Sequence, residues 1–168
     1  TQYRAIVQNG VCSQTYSSPA IITVDAPTNP GSTSGAATSC SGNNSGTIQL
    51  TGNNGVIVRW ELSTNNGSTW TNINNNTNSY NYSNLTATTQ FRALVQNGTC
   101  NSAYTNTVTI QIVPVIINTI STTSYTVCDG QSVNINTSSP TGGTGTYTYQ
   151  WQMSTDGTNW SNITGATN

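Results

Sequence analysis

The chain has 168 residues, enough for one large or two small domains, and only 4% of them are charged. Its three cations are all Arg, and so few cannot form the electrostatic surface that binds nucleic acid or anionic lipid. No apolar run approaches the roughly 20 residues of a membrane span, so we expect no membrane insertion. Of the 29 Leu, Ile, Val and Phe residues, 24 are β-branched, which predicts an all-β protein.

In chain order, short strands alternate with turn residues. The predicted strands after residue 26 are 45–50, 56–64, 69–74, 79–85, 88–96 and 106–113. Side chains of a strand alternate between its two faces, which predicts an inward and an outward set for residues 56–64. The inward set is Val56, Val58, Trp60 and Leu62, and the outward set is Ile57, Arg59 and Glu61.

The sequence repeats with a period near 90 residues. Residues 1–16 (TQYRAIVQNGVCSQTY) align without gaps to 89–104 (TQFRALVQNGTCNSAY), and 59–73 align to 150–163. That period is too long for a solenoid unit of about 20–50 residues and suits a sandwich domain of about 100. We predict C-terminal strands of a truncated repeat at 1–25, a complete repeat at 26–113, and the N-terminal half of a third at 114–168.

Each copy places one Trp on a central strand and an aromatic residue on the strand expected beside it. This is the core arrangement of an immunoglobulin-like sandwich. The predicted core residues are Trp60 and Phe91 in the complete copy, with Trp151 and Tyr3 as their counterparts in the neighbouring copies. The predicted fold is therefore all-β, with tandem immunoglobulin-like antiparallel β-sandwich domains.

The pattern VCDG…QWQMSTDGTNWSNI…TQYRAIVQNG-x-C…VTI resembles the immunoglobulin-like repeats of very large Bacteroidetes cell-surface adhesins of the SprB gliding-motility type. The resemblance covers nearly the whole chain. It implies a structural stalk repeat of a secreted adhesin that acts in surface attachment or gliding motility. It also implies export by the type IX secretion and outer-membrane machinery, an extracellular location at the cell surface, and neighbouring repeats of the same chain as partners.

Each repeat contains two Cys, and regular Cys in a secreted protein suggest disulfides. We predict a bridge between Cys40 and Cys100. Standard strand order would place these two at opposite ends of a sandwich, whereas a disulfide needs Cα atoms about 4.4–6.8 Å apart. A bridge between successive repeats and free buried thiols therefore stay open as alternatives.

The segment from Ser63 to Trp70 resembles an Asp-box hairpin, S-x-D-x-G-x-T-W, with Asn in place of Asp. Its Trp is expected to pack back on its own strands. In the alternative function, Trp70 and its counterpart Trp160 stack on sugars, and the chain is a carbohydrate-binding β-sandwich module of a secreted polysaccharide-handling protein. Its partner would then be extracellular polysaccharide. A third hypothesis is an accessory domain beside a secreted enzyme.

The four acidic residues are far apart in sequence: Asp25, Glu61, Asp129 and Asp156. A glycosidase needs two carboxylates that flank one bond, so we expect no catalytic residues and no enzyme activity. With no His and no Cys-x-x-Cys, we also expect no metal site and no cofactor. Glu61 is expected to pair with Arg92 across neighbouring strands, at an energy of a few tenths of a kcal/mol if both are exposed.

Overall fold

The computed structural model describes residues 1–120 and 124–167, and these residues contain strands and turns but no helix. The protein is all-β, as the β-branched composition predicts. The strands in chain order are β1 (Gln2–Tyr3), β2 (Ile6–Val7), β3 (Thr15–Tyr16), β4 (Ala20–Ile21), β5 (Ser32–Ser34), β6 (Ala37–Cys40), β7 (Ser45–Thr51), β8 (Val56–Ser63), β9 (Thr71–Ile73), β10 (Ser79–Ser83), β11 (Thr89–Gln96), β12 (Ala103–Tyr104), β13 (Val108–Val113), β14 (Gln152–Met153) and β15 (Ser161–Asn162).

Internal contacts divide the chain into two compact units. The first comprises Thr1–Ala36, Gly46–Tyr82 and Thr89–Thr109, and the second comprises Ala37–Ser45, Ser83–Thr88 and the residues from Ile110 onward. The first unit contains the main apolar core and all of the charged cluster described below.

Two sheets form the central part of the chain. One has three strands in the order β10-β7-β5, and the other has the order β6-β13-β11-β8-β9, with β12 also paired to β11. β11 is antiparallel to both β8 and β12, whereas β6 and β13 run parallel. In an immunoglobulin sandwich strands A, B and E share one sheet and C, F and G the other, which matches β5, β7, β10 and β8, β11, β13.

Aromatic side chains join the two sheets. Tyr80 of β10 lies 6.4 Å from Trp60 and 5.6 Å from Phe91 between ring centroids, and Tyr82 lies 6.2 Å from Phe91. Trp60 and Phe91 are completely buried. Nε1 of Trp60 donates a hydrogen bond to the carbonyl of Thr77 (3.0 Å), so the buried indole loses no hydrogen bond when it leaves water.

The inward face predicted for β8 is wrong at its beginning. Val56 and Val58 are 68% and 43% exposed, while Ile57 is 6% exposed. The register shifts between β8 and β11, where Val95 pairs with Ile57 but the preceding residue of β11 pairs two residues further along β8. The bulge leaves Val58 without a partner and exchanges the faces of the residues before it.

The strands of residues 1–25 pair only with one another in the described chain, as β1 with β4 and β2 with β3. Tyr3, predicted to be a core residue, is instead 60% exposed, because among the residues that the structure describes no second sheet covers β1. Trp151, the other predicted core residue outside the complete copy, is half-buried beside the β14–β15 hairpin.

Candidate functional site

The polar groups of the complete copy gather around Glu61 on the outer face of the larger sheet. Glu61 lies directly opposite Arg92 in the β8–β11 register. Its Oε2 is 2.8 Å from Nη2 of Arg92 and its Oε1 is 2.7 Å from Nη2 of Arg59. Tyr104 donates a further hydrogen bond to Oε1 (3.2 Å). The expected pair with Arg92 is present, but Glu61 is only 3% exposed, so the small energy expected for an exposed pair does not apply.

The pKa of Glu61 lies below its ordinary value. Burial raises the pKa of this carboxyl, but the hydrogen bonds and positive charges of Arg92 and Arg59 outweigh burial and keep the carboxylate ionised. Both guanidinium groups depend on this one buried carboxylate, so its removal would leave two cations without their partner.

Arg92 lies between two aromatic rings. Its guanidinium carbon is 3.9 Å from the ring centroid of Trp70 and 3.8 Å from that of Tyr104. The planar cation therefore stacks on both π faces while it pairs with Glu61. The contact between Arg92 and Trp70 attaches the Ser63–Trp70 hairpin to β11, and it occupies one face of the Trp70 indole.

The role of Tyr104 was not predicted, although the repeat contained a signal for it. Arg4 and Tyr16 occupy the positions of Arg92 and Tyr104 in the earlier copy, and Arg4 lies 4.1 Å from the centre of the Tyr16 ring. An Arg and a Tyr that recur at one spacing in both copies indicate a contact between them.

The hairpin from Ser63 to Trp70 is held by its own side chains. Oγ of Ser63 accepts a hydrogen bond from the backbone N–H of Gly67 (2.9 Å), and Oδ1 of Asn65 accepts one from the N–H of Thr69 (2.9 Å). These short polar side chains replace backbone partners within the turn. The Asn therefore performs the turn-closing role that the Asp-box pattern assigns to Asp.

The later copy builds a similar hairpin, one residue shorter, with an acid in place of Asn65. Oδ1 of Asp156 accepts hydrogen bonds from the backbone N–H groups of Thr158 and Asn159, both at 2.8 Å. The pKa of Asp156 lies far below its usual range. The backbone N–H of Asn159 makes the largest contribution, and the N–H of Thr158 adds to it. Trp160, which follows this turn, is 59% exposed.

The segment that leads into the complete copy is fastened to the hairpin after β11. The side chain of Asn97 donates to the carbonyl of Ala26 (2.9 Å), and its backbone N–H donates to Oγ1 of Thr28 (3.1 Å). The backbone N–H of Thr99 donates to Oδ2 of Asp25 (3.0 Å). We call residues 25–28 the entry segment.

The entry segment can approach the turn after β11 because Gly98 has no side chain. The φ of Gly98 is +53°, which residues with a side chain rarely adopt, and a Cβ added there would collide with the carboxylate of Asp25. Gly10 has the same φ in the earlier copy, but a Cβ on Gly10 would meet nothing within 4 Å. The Asn-Gly turn therefore has a conformational role in both copies and a packing role in only one.

Comparison with known proteins gives one result. A family model described as "Domain of unknown function (DUF8696)" matches residues 29–114 and again residues 117–168, which together are more than half of the chain. The chain belongs to this family. No curated protein and no solved structure matches it. The two matches of the DUF8696 model follow one another along the chain, on segments for which the sequence predicts one complete repeat and the start of the next.

The structure of this DUF8696 chain contains no bridge between Cys40 and Cys100. All four cysteines are free thiols. Cys40 ends β6 opposite Val113, whereas Sγ of Cys100 donates to the carbonyl of Ala26 (3.3 Å). The predicted disulfide is therefore not formed: Cys40 is held at the end of β6, and Cys100 lies in the turn between β11 and β12.

The acidic side chains do not gather at one site. Within residues 1–120 and 124–167, no group of three or more His, Cys, Asp and Glu side chains could hold a metal ion. No helix in that part of the chain is long and apolar enough to cross a membrane. Asp25 binds the hairpin after β11, Glu61 binds two Arg, and Asp156 closes a turn. That the chain is not an enzyme stays a prediction.

Proposed function

We propose that this chain is part of a stalk of tandem immunoglobulin-like repeats in a large secreted cell-surface adhesin that acts in surface attachment or gliding motility. The observation that carries the proposal is the entry segment, which four hydrogen bonds from Asn97 and Thr99 attach to the hairpin after β11. A spacer needs such fastened junctions, because a free linker would let successive domains swing and would shorten the array.

The core of the complete copy suits a spacer. Its largest buried side chains come from both sheets of one copy, with Trp60, Phe91, Ile48 and Leu50 each at most 1% exposed. A copy that closes its own core adds stability locally, so an array can lengthen without changing its parts. A strand of 8 residues, such as β8 or β11, adds about 27 Å of length at 3.4 Å per residue.

The surface also suits a long passive structure. The net charge is −1, and the one buried acid of the complete copy is neutralised within its own sheet. A surface of Thr, Ser and Asn with little charge limits non-specific electrostatic binding along a stalk. Export by the type IX machinery, an extracellular position and neighbouring repeats as partners belong to the same proposal and rest on the resemblance.

The carbohydrate-binding alternative has weaker support in the complete copy. Arg92 already covers one face of Trp70, which is the kind of surface on which a sugar would stack. The exposed Trp160 of the later copy keeps this alternative testable. Accordingly, we expect no glycan binding that depends on Trp70.

Labelling of intact cells tests the stalk proposal. An antibody raised against the 168-residue chain should bind intact source cells, and external protease should remove the label. Label that appears only after the cells are permeabilised would contradict a surface location. On a glycan array, the wild-type chain and Trp70→Ala should give the same background signal. A signal that Trp70→Ala abolishes, while Gln96→Ala retains it, would instead favour the carbohydrate-binding module.

A further inference from the structure

We propose that the parallel pair of β6 and β13 bears tension along the chain, and we call this pair the clamp. The inference rests on the proposed stalk function for the source of the tension, because a stalk is pulled when one end is held by a surface and the other by the cell. The resistance itself follows from strand geometry and can be measured on the isolated chain. It gives the complete copy a load-bearing function in addition to that of a spacer.

The clamp joins the first and the last strand that the larger sheet takes from the chain. Its register pairs Ala37 with Ile110 and Cys40 with Val113, and the two strands are parallel. In a parallel pair, the beginning of one strand and the end of the other lie at opposite ends of the pair. Tension that enters before β6 and leaves after β13 therefore pulls the two strands past each other along their axes.

The direction of the pull decides how the hydrogen bonds of the clamp share the load. The backbone N–H of Ser41 donates to the carbonyl of Val113 (2.9 Å). Because backbone groups alternate in direction along a strand, those of Ser39 and Ala37 also point at β13. A pull along the strand axes loads these bonds together. A pull that separates the two strands at one end loads them one after another.

Asn44 holds the end of β6 in place. This residue is buried, and its Nδ2 donates to the carbonyls of Cys40 and Leu85, both at 2.8 Å. Its Oδ1 accepts a hydrogen bond from the backbone N–H of Leu85 (3.0 Å). Separating a buried amide from all of these partners is costly. The end of β6 therefore resists lifting away from β13, and under tension the strands must slide rather than peel.

β13 is the better anchored of the two strands. It is an inner strand of its sheet, whereas β6 lies at the edge. The backbone N–H of Ile112 donates to Oγ1 of Thr88 (3.0 Å), so β13 is also held by the residues just before β11. Ile110 and Val113 are buried, which opposes their movement into water. Under tension, the weakest boundary is therefore the one between β6 and β13.

The connection that leads into the clamp has almost no slack. Only Gly35 and Ala36 separate β5 from β6. Two fully extended residues span at most about 7 Å. The φ of Gly35 is +111°, a backbone conformation that lets the chain pass within two residues from the smaller sheet to the larger one. Tension that releases β5 therefore reaches β6 at once.

Single-molecule pulling of the full 168-residue chain in two directions tests the clamp. In the first variant the handles are attached at Ala37→Cys and Val115→Cys, which pulls the strands along their axes. In the second they are attached at the native Cys40 and at Val115→Cys, which separates the strands at one end. Every other Cys is replaced by Ser. All three attachment sites are exposed.

The handle at residue 37 should require the higher unfolding force, by about twofold or more, because the bonds of the clamp are then loaded together. Forced unfolding depends on the barrier along the pulled route, so the two variants should differ in force although urea gives them the same stability. Release of the chain between residues 37 and 115 identifies the event by a gain of about 280 Å at ~3.6 Å per residue. An equal or lower force at residue 37 would overturn the clamp, whereas failed labelling of intact cells would contradict only the stalk proposal.

A second pair of variants tests the role of Asn44. With the handles at residues 37 and 115, Asn44→Ala should lower the unfolding force toward the value found with the handle at Cys40, because the end of β6 can then peel. Asn43→Ala, at the exposed neighbouring position, serves as the matched control and should leave the force unchanged. Equal forces in these two variants would overturn the role assigned to Asn44. The comparison of handles keeps Asn44 intact, so it decides the proposal even if Asn44→Ala does not fold.

Discussion

The complete copy and the first hairpin contain nearly the same strands in different surroundings. Phe91 and Val95 are completely buried, while Tyr3 and Val7, in the same register, are each 60% exposed. The strand pairing and its hydrogen bonds are alike in both places. The comparison shows that local sequence is enough to form the hairpin, whereas the core requires the second sheet, which comes from a distant part of the chain.

The largest expected difference between the two regions concerns the aromatic core residue. Phe91→Ala should lower the free energy of unfolding of the complete copy by about 3–5 kcal/mol, because it leaves a cavity against Trp60 and Tyr80. Tyr3→Ala, at the matching exposed position, should change it by less than about 0.5 kcal/mol. Urea unfolding at low protein concentration measures both. Equal losses would show that residues 1–25 share the core of the complete copy.

Glu61 should give the next largest effect. Glu61→Gln removes the charge that holds two guanidinium groups and should destabilise the complete copy by about 1–3 kcal/mol. The loss stays below that of a fully buried pair because Arg59 and Arg92 keep 31% and 22% of their side-chain surface exposed. Urea unfolding near neutral pH measures it, with Gln152→Glu as the reverse change in the later copy. No measurable loss would mean that the Glu61 cluster does not contribute to the free energy of unfolding.

The same pair predicts a pH dependence. Because the pKa of Glu61 is lower in the folded state, its contribution to stability is complete above the unfolded value of about 4.3. The contribution is lost as the pH falls through the lower folded value. The difference in unfolding free energy between wild type and Glu61→Gln should therefore shrink below about pH 4.3. A difference that grows on acidification would contradict a lowered pKa.

Gly98 and Gly10 separate the conformational role of the turn from its packing role. Gly98→Ala should cost about 1–2 kcal/mol for the left-handed backbone, and it should also displace Asp25. Limited proteolysis of the entry segment should then be faster. Gly10→Ala imposes the same backbone strain where a Cβ has open space, and it should leave cleavage near residues 25–28 unchanged. Faster cleavage in both variants would mean that Gly98 does not position the entry segment.

Cysteine replacement should have the smallest effect. Since Cys100 is a free thiol that donates weakly to the carbonyls of Ala26 and Asp25, Cys100→Ser should change stability by less than about 1 kcal/mol. Loss of a native disulfide would cost about 2–5 kcal/mol. Thermal unfolding with and without reductant distinguishes these results. A large drop in melting temperature on reduction, matched by Cys40→Ser, would instead support the predicted bridge between Cys40 and Cys100.

The sequence predicted what depends on local pattern and on repetition. The all-β class, the hairpin before Trp70 and the pairing of Glu61 with Arg92 follow from alternation, turn residues and the spacing of neighbouring strands. The bulge at Val58 could not be predicted, because residues 56–58 are all β-branched and apolar and give no alternation to read. The burial of Glu61 and the stacking of Arg92 depend on Tyr104, which the chain brings into contact only after β11 and β12 pair.

Hydrogen exchange of two matched amides tests the central claim most directly. The N–H groups of Ser17 and Thr105 donate to the carbonyls of Ala5 and Ala93 with nearly equal lengths of 2.9 and 3.0 Å, so their local bonds are the same. At a dilution where the chain is monomeric, the amide of Thr105 should exchange slower by orders of magnitude, because it opens only when the complete core opens. Equal protection of the two amides would contradict the claim that each copy depends on closing its own core.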